Sequence, residues 1–160
     1  MLKTIRKYWL FYGICFLYFP LFKYYIFLNN NKGHTFLTSD WLINYNYGFV
    51  KRGLPGTIFF NLTQDPDLLL DIISYSLIII YLLIFYFLNQ IFMLKKQNLV
   101  SILLIFSPAA FLFPIYDSQG AFRKEIIGIL SILIVANYSK KTNYKIGLYI
   151  ASFIYTFGLF

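Results

Sequence analysis

The first group of residues that could bind a ligand or catalyse a reaction lies between positions 40 and 56. Asp40 offers a carboxylate, and Lys51 and Arg52 follow it as two adjacent cations. Three glycines flank these cations, at Gly48, Gly53 and Gly56. Glycines let backbone N–H groups approach an anion while the cations neutralise it, which is what a phosphate or pyrophosphate requires. The alternative is an interfacial turn that is anchored by aromatic residues and snorkelling bases.

A second group runs from Asp117 to Glu125, with Arg123 and Lys124 directly before Glu125. These charges precede an apolar run that is too short to leave them fully in water. Charges at that depth of a membrane are costly, so they usually pair with each other or bind a ligand. The alternative is an Arg123–Glu125 or Lys124–Asp117 arrangement that only marks the outer boundary of the membrane.

The remaining polar residues make weaker candidates. Asp65, Asp67 and Asp71 stand in the first turns of a predicted helix, where carboxylates favour the helix dipole. His34 has no cysteine or second histidine nearby, so we expect no zinc site of the usual four-ligand kind. Cys15 is the only cysteine, so no intrachain disulfide can form. There is also no Walker-type phosphate loop and no dinucleotide fingerprint. The sequence therefore predicts no metal site, and it leaves any cofactor unknown.

The elements that must position these residues follow from the composition. The chain has 160 residues, of which 59% are hydrophobic, 22% aromatic and 12% charged. A soluble domain carries about twice that share of charge and could not bury so much apolar surface, whereas lipid can solvate it. We therefore predict an all-α, polytopic integral membrane protein with about five transmembrane helices. We attribute the net charge of +8 mostly to membrane topology, which favours bases in the cytoplasmic connections, so we expect no nucleic-acid partner.

Five apolar segments are predicted to form these helices within one transmembrane domain, at about 8–28, 66–94, 99–114, 121–138 and 146–160. The first segment is too long for a signal peptide core and has no cleavage site, so we expect an uncleaved helix. Asp65 and Pro66 form a helix-start pattern, with Asp65 as the N-cap and Pro66 in the first helical position. The third segment contains the breaking pair Ser107-Pro108 and ends at Pro114.

The fourth segment needs a special arrangement because its apolar run, 126–136, reaches only about 16 Å as a helix. Either the helix begins near Ala121 and carries Arg123, Lys124 and Glu125 into the headgroup layer, which we favour, or segments three and four form a re-entrant hairpin. The fifth segment stops at Phe160 without a polar exit. This predicts that the chain is the N-terminal part of a longer protein.

Charge sets the predicted orientation. Assigning the connections alternately to the two sides puts one set of bases together without any acid: Lys3, Arg6, Lys7, Lys95, Lys96, Lys140, Lys141 and Lys145. The positive-inside rule makes that side, and the N-terminus, cytoplasmic. The opposite side receives all six acids, together with Lys32, Lys51, Arg52, Arg123 and Lys124. Any site built from the two groups should therefore face outward.

The motif from Asn44 to Gly56, followed by Ser107-Pro108 and by the stretch from Gly120 to Glu125, resembles multi-pass membrane proteins of bacterial surface-polysaccharide loci. These proteins look like polysaccharide polymerases and type C glycosyltransferases, whose sites face outward and use polyprenyl-phosphate-linked sugars. The resemblance covers about a third of the chain. It implies that Lys51, Arg52 and Arg123 bind the lipid-linked pyrophosphate, with Lys124 and Glu125 beside them, and that Asp40 or Asp117 acts as general base.

The sequence thus predicts outward-facing glycosyl transfer or polymerisation on a polyprenyl-linked saccharide in the bacterial cytoplasmic membrane. The expected partners are membrane lipid and that saccharide. Two alternatives remain open: a non-catalytic transporter or flippase that binds the same anionic lipid, and a structural membrane subunit.

Overall fold

The structure is a computed structural model that describes residues 7–30, 35–46, 48, 53–93, 99–107, 113–116, 123–139 and 144–159. Every element of regular structure among these residues is a helix, so the prediction of an all-helical fold is confirmed. The helices are α1 (Trp9–Asn30), α2 (Thr35–Leu42), α3 (Leu54–Leu62), α4 (Pro66–Met93), α5 (Leu99–Ile105), α6 (Phe113–Tyr116), α7 (Ile126–Tyr138) and α8 (Tyr144–Leu159).

Two helices in the described part of the chain are long and apolar enough to cross a membrane. They are α4, with 28 residues, and α1 over the stretch Trp9–Phe27. At 1.5 Å per residue, 28 residues reach about 42 Å, which exceeds the roughly 30 Å of bilayer hydrocarbon. Helix α7 is apolar but has only 13 residues. The structure therefore supports two spans by length and composition, and the predicted count of about five is not reached by this criterion.

The start of α4 follows from residues 65–67. The Asp67 N–H donates to Oδ1 of Asp65 over 3.1 Å, and the Leu69 N–H donates to the Asp65 carbonyl over 2.9 Å. Pro66 occupies the first helical position, where a missing N–H removes no hydrogen bond. Asp65 is thus the N-cap, as the sequence predicts.

Helices α1 and α4 pack antiparallel around buried aromatic rings. The Tyr18 ring centroid lies 4.7 Å from that of Phe85 and 5.4 Å from that of Tyr81. Phe22, one turn further along α1, lies 5.7 Å from Tyr81. Each such pair contributes about 0.5–1.5 kcal/mol beyond the area that it buries. At the other end of the pair, Trp9 meets Phe92 edge to face at 5.9 Å.

A buried asparagine fastens the start of α1 to the last turns of α4. Asn89 is only 1% exposed; its Nδ2 donates to the Lys7 carbonyl over 3.2 Å and its Oδ1 accepts the Phe11 N–H over 3.4 Å. Phe11 is in the first turn of α1, whose N–H groups have no partner within the helix. Asn89 therefore supplies hydrogen-bond partners for two backbone groups that would otherwise lack them. The contact also places Lys7 at the same end of the bundle as Met93.

Helices α7 and α8 form a close antiparallel pair that joins the bundle through contacts of α7 with α4. Gly147 lies against the side chain of Tyr138, so closely that a Cβ at this position would overlap Tyr138. Toward the other end of the pair, Gly128 faces the Tyr155 ring. Inward-facing residues of α7, among them Ile127, Leu130 and Ile134, complete the core.

The structure differs from the sequence prediction at three places. The connection between the first two apolar segments contains the helices α2 and α3. The third segment is divided: α5 ends at Ile105, ahead of Ser107, and Pro114 lies within the separate α6. The favoured extension of the fourth helix is not found for residues 123–125, which form a turn before α7 begins at Ile126.

Large apolar side chains cover the outside of the helices. Phe16 of α1 is 80% exposed, Phe153 of α8 is 74% exposed and Ile132 of α7 is 70% exposed. Soluble monomers rarely expose large contiguous apolar patches. This distribution is typical of helices whose outer faces contact hydrocarbon.

Candidate functional site

A hydrogen bond joins the two groups of charged residues that the sequence singles out. The backbone N–H of Lys124 donates to Oδ2 of Asp40 over 3.3 Å, although the two residues are 84 positions apart. Asp40 stands near the end of α2, and Lys124 stands in the turn before α7. Because a backbone N–H is a fixed donor, the contact orients one oxygen of a half-buried carboxylate.

The turn that carries this donor is held by its own backbone bonds. The Ile126 N–H donates to the Arg123 carbonyl, the Ile127 N–H to the Lys124 carbonyl and the Gly128 N–H to the Glu125 carbonyl, over 3.0–3.3 Å. Lys124 is only 2% exposed, whereas Arg123 and Glu125 are exposed. The turn thus buries Lys124, whose backbone N–H contacts Asp40, and presents a guanidinium and a carboxylate on the surface.

Packing of α2 on α3 fixes the position of Asp40. Trp41, the next residue, is 1% exposed, and its ring centroid lies 6.4 Å from that of Phe59 in α3. Gly56 of α3 lies against the backbone carbonyl of Ile43, at the exit from α2. A residue with a side chain at position 56 would overlap that carbonyl. The close approach of the two helices therefore depends on a glycine.

The three glycines near Lys51 and Arg52 have structural roles in the described residues. Gly53 is covered by the Tyr45 ring, and Gly56 is covered by Ile43. Gly48 has φ +126°, a backbone conformation that glycine adopts at little cost, and its N–H closes a turn onto the Tyr45 carbonyl over 3.1 Å. Packing and turn geometry thus each give these glycines a structural role, and the predicted anion site at Lys51 and Arg52 stays a prediction.

Thr57, which has no signal of a functional role in the sequence, links Tyr45 to Gly53, the residues on either side of the 46–52 segment. Oγ1 of Thr57 accepts the Tyr45 N–H over 3.0 Å and donates to the Gly53 carbonyl over 2.9 Å. Thr57 follows Gly53 by four residues, one helical turn, which is the usual spacing for a hydroxyl that bonds back to a carbonyl. That spacing is a sequence signal for the second bond, whereas the bond to Tyr45 depends on tertiary packing.

The predicted site residues are thus placed unevenly. The structure brings Asp40 and the backbone of Lys124 together. Arg123 and Glu125, the chain neighbours of Lys124, are exposed beside this contact. Lys51, Arg52 and Asp117 lie outside the described residues. The Asp65 carboxylate accepts the Asp67 N–H, as expected of an N-cap. In the described part of the chain, no group of three or more His, Cys, Asp or Glu side chains has a metal-binding arrangement.

The chemistry open to this arrangement combines a carboxylate and cations. Asp40 is partly accessible and can accept a proton, while Arg123 is exposed and can form two parallel hydrogen bonds to a phosphate or carboxylate. Comparison of the chain with family models, with curated proteins and with solved structures finds no match. The resemblance to proteins of polysaccharide loci therefore stays a prediction.

Proposed function

We propose that the chain is a multi-pass protein of the bacterial cytoplasmic membrane, with a cytoplasmic N-terminus and an outward-facing site around Asp40 and Arg123. In this proposal the site binds a polyprenyl-(pyro)phosphate-linked saccharide and transfers its sugar to an acceptor hydroxyl. Support for the membrane location comes from the two long apolar helices and from the exposed apolar side chains of α1, α7 and α8.

The proposed orientation rests on the distribution of charge. Lys7 lies at the end of the bundle where α4 ends. No acid lies in the connections of the predicted cytoplasmic side, which include the lysines that follow Met93. Asp40 belongs to the other set of connections, which carries every acid of the chain. The positive-inside rule assigns the acid-free side to the cytoplasm.

The observation that carries the proposal is the bond from the Lys124 N–H to Asp40. It places a carboxylate, the natural general base for a hydroxyl, next to the turn that carries two cations. In the proposed step, Asp40 takes the proton of the acceptor hydroxyl while the hydroxyl oxygen bonds to the anomeric carbon of the sugar. The bond from that carbon to the phosphate oxygen breaks, and the lipid pyrophosphate leaves with the electron pair. Arg123, with Lys51 and Arg52, would stabilise its charge.

The test uses Arg52→Lys and Arg123→Lys, which keep the charge but remove the two parallel hydrogen bonds of a guanidinium. Loss of a charge-assisted hydrogen bond costs about 1.5–3 kcal/mol, so each variant should lower surface-polymer production roughly ten- to a hundredfold. Arg6→Lys makes the same change near the N-terminus and should leave production unchanged. Membrane abundance is measured for all three variants. Normal production by both site variants at normal abundance would contradict the proposal.

A transporter that moves the same lipid differs in one respect, because it needs no general base. Asp40→Asn would then leave the function largely intact while Arg123→Lys impairs it. An enzyme requires both residues. The pair of variants therefore separates transfer of the sugar from movement of the lipid.

A further inference from the structure

Helix α1 has one face packed in the bundle and one face turned away from it. The buried side chains recur at helical spacing, at Ile14, Tyr18, Leu21 and Tyr25. On the opposite side, exposed side chains recur at the same spacing, at Tyr12, Phe16, Phe19, Lys23 and Phe27. We call these five residues the α1 outer face. It carries four aromatic rings and one cation along a helix that is long enough to cross a membrane.

The cation of this face lies inside the apolar span. Lys23 belongs to the stretch Trp9–Phe27, and its side chain is exposed. It precedes Asn29, the first amide side chain after it, by about six residues, or about 9 Å along the helix. A charge at that depth of a membrane is costly unless an opposite charge neutralises it.

The Lys23 ammonium group is directed toward the middle of the span. Its Nζ lies 5.1 Å from the ring centroid of Phe19, one turn closer to the N-terminus of α1. Side chains on a helix lean in that direction. The ammonium therefore points away from the nearer end of α1 and from the lipid headgroups there. The Phe19 ring attracts the cation but carries no charge that would neutralise it.

The acids of the long helices lie too far away to neutralise Lys23. The Phe22 ring lies 5.7 Å from that of Tyr81, so Lys23 is level with about residue 80 of α4. Asp71 stands about nine residues, or about 13 Å, closer to the start of α4. The other acids stand at position 67, one turn further, or outside α1 and α4 altogether. Within the described part of the chain, Lys23 forms no ion pair.

We infer that the α1 outer face binds a transmembrane helix of a partner protein, and that this helix carries an aspartate or glutamate level with Lys23. Charge complementarity selects a carboxylate, and the depth of Lys23 selects a helix that holds the carboxylate within the span. A second copy does not meet this need. Two outer faces in contact would oppose Lys23 to Lys23, and the chain has no acid at that depth.

A proline on the same side of α1 favours a helix over lipid as the occupant. Pro20 is exposed and has no N–H to donate to the Phe16 carbonyl, one turn before it. A neighbouring helix can satisfy such an acceptor, whereas a lipid tail has no donor. The inference rests on the proposed membrane location and is independent of sugar transfer.

The test uses the full chain in phosphatidylcholine vesicles and measures binding of model transmembrane peptides by fluorescence energy transfer. The peptides are leucine–alanine helices that carry either one glutamate or one glutamine at the depth of Lys23. The wild-type protein should bind the glutamate peptide about tenfold more tightly than the glutamine peptide. Lys23→Gln should bind both equally, and Lys23→Glu should prefer a peptide with lysine at that position. Lys145→Gln, the same change at the exposed start of α8, should keep the wild-type preference.

The outcomes separate this inference from the proposed function. Equal binding of the two peptides by the wild-type protein would overturn the inference alone. Loss of the preference when phosphatidylglycerol is added would assign Lys23 to lipid phosphate and would also overturn it. Self-association of the wild-type chain that Lys23→Gln abolishes would assign the face to a second copy, with the same result. Release of the wild-type protein from vesicles by alkaline carbonate would overturn the membrane location and the inference together.

Discussion

Gly56 of α3 lies directly against the main-chain carbonyl of Ile43 at the exit of α2. The contact is made by backbone, so a side chain at position 56 could not be accommodated by a rotamer change. It brings α3 close to the helix that carries Asp40, and Trp41 and Phe59 complete the contact between the two helices. The geometry of the candidate site therefore depends on a residue that takes no part in chemistry.

Gly56→Ala should destabilise the protein for this reason. Overpacking of this kind costs about 1–3 kcal/mol, which thermal unfolding in detergent would detect as a lower midpoint. Gly13→Ala is the control, because a Cβ at Gly13 in α1 meets no atom within 4 Å. Alanine is favoured over glycine inside a helix by about 0.5–1 kcal/mol, so Gly13→Ala should be neutral or stabilising. Equal midpoints for the two variants would show that α3 does not pack on Ile43 in this way.

Asn89→Leu should loosen the contact between α1 and α4. The change keeps a side chain of similar size but leaves the Lys7 carbonyl and the Phe11 N–H without their partner. Leaving a buried group unsatisfied costs about 1–3 kcal/mol, again measured by thermal unfolding. Ser74→Ala serves as comparison, since the buried Ser74 hydroxyl donates to the Leu70 carbonyl of its own helix. A larger loss for Ser74→Ala than for Asn89→Leu would contradict the packing of α1 on α4 described above.

Thr57→Val should lower the stability of the protein by removing the link between Tyr45 and Gly53. Valine has the shape of threonine but removes both hydrogen bonds that join the flanks of this segment, at a cost of about 1–3 kcal/mol. Thr57→Ser should restore them. Thr156→Val, in which an exposed hydroxyl is lost from α8, is expected to be close to neutral. Stability of Thr57→Val at the wild-type level would mean that the hydroxyl does not hold the two flanks.

The orientation predicts which positions a membrane-impermeant maleimide reaches in intact cells. In a Cys15→Ser background, Asn46→Cys should react because Asn46 is exposed and close to Asp40 in the chain. Gln97→Cys, on the predicted cytoplasmic side, should react only after the cells are opened. Reaction of Gln97→Cys in intact cells would reverse the orientation. Protection of Gln119→Cys alone would instead favour the re-entrant hairpin of segments three and four.

Local signals in the sequence identify the long helices but not the short ones. Asp65 and Pro66 predict the start of α4 because capping depends on neighbouring residues alone. The break near Ser107 is likewise a local effect of the following proline. Helices α2 and α3 lie in a stretch where aromatic and polar residues are mixed, and their stability depends on packing, such as the Trp41–Phe59 contact. No pattern in the sequence shows such a contact.

The candidate site likewise combines residues that have a local sequence signal with contacts that depend on packing. Residue types and charge indicate Asp40 and the turn 123–125, and alternating topology puts both on one side. The pairing of Asp40 with the Lys124 N–H is a contact across 84 positions and has no sequence signal. The packing contacts of Gly53 and Gly56 also have no sequence signal, because a glycine that admits an anion and a glycine that admits a neighbouring helix are identical in sequence.

The most direct measurement is the rate of sugar transfer from a polyprenyl-pyrophosphate-linked saccharide to an acceptor by the purified protein, compared between wild type and Asp40→Asn. The asparagine oxygen can still accept the Lys124 N–H, so the turn is kept, but the amide cannot take a proton. Loss of the general base should lower the rate about 10²–10⁴-fold with little change in affinity for the lipid-linked donor. Asp71→Asn, the same change at an exposed position of α4, should transfer sugar at the wild-type rate. Transfer by Asp40→Asn at the wild-type rate, or no transfer by the wild-type protein with donor and acceptor bound, would contradict the account.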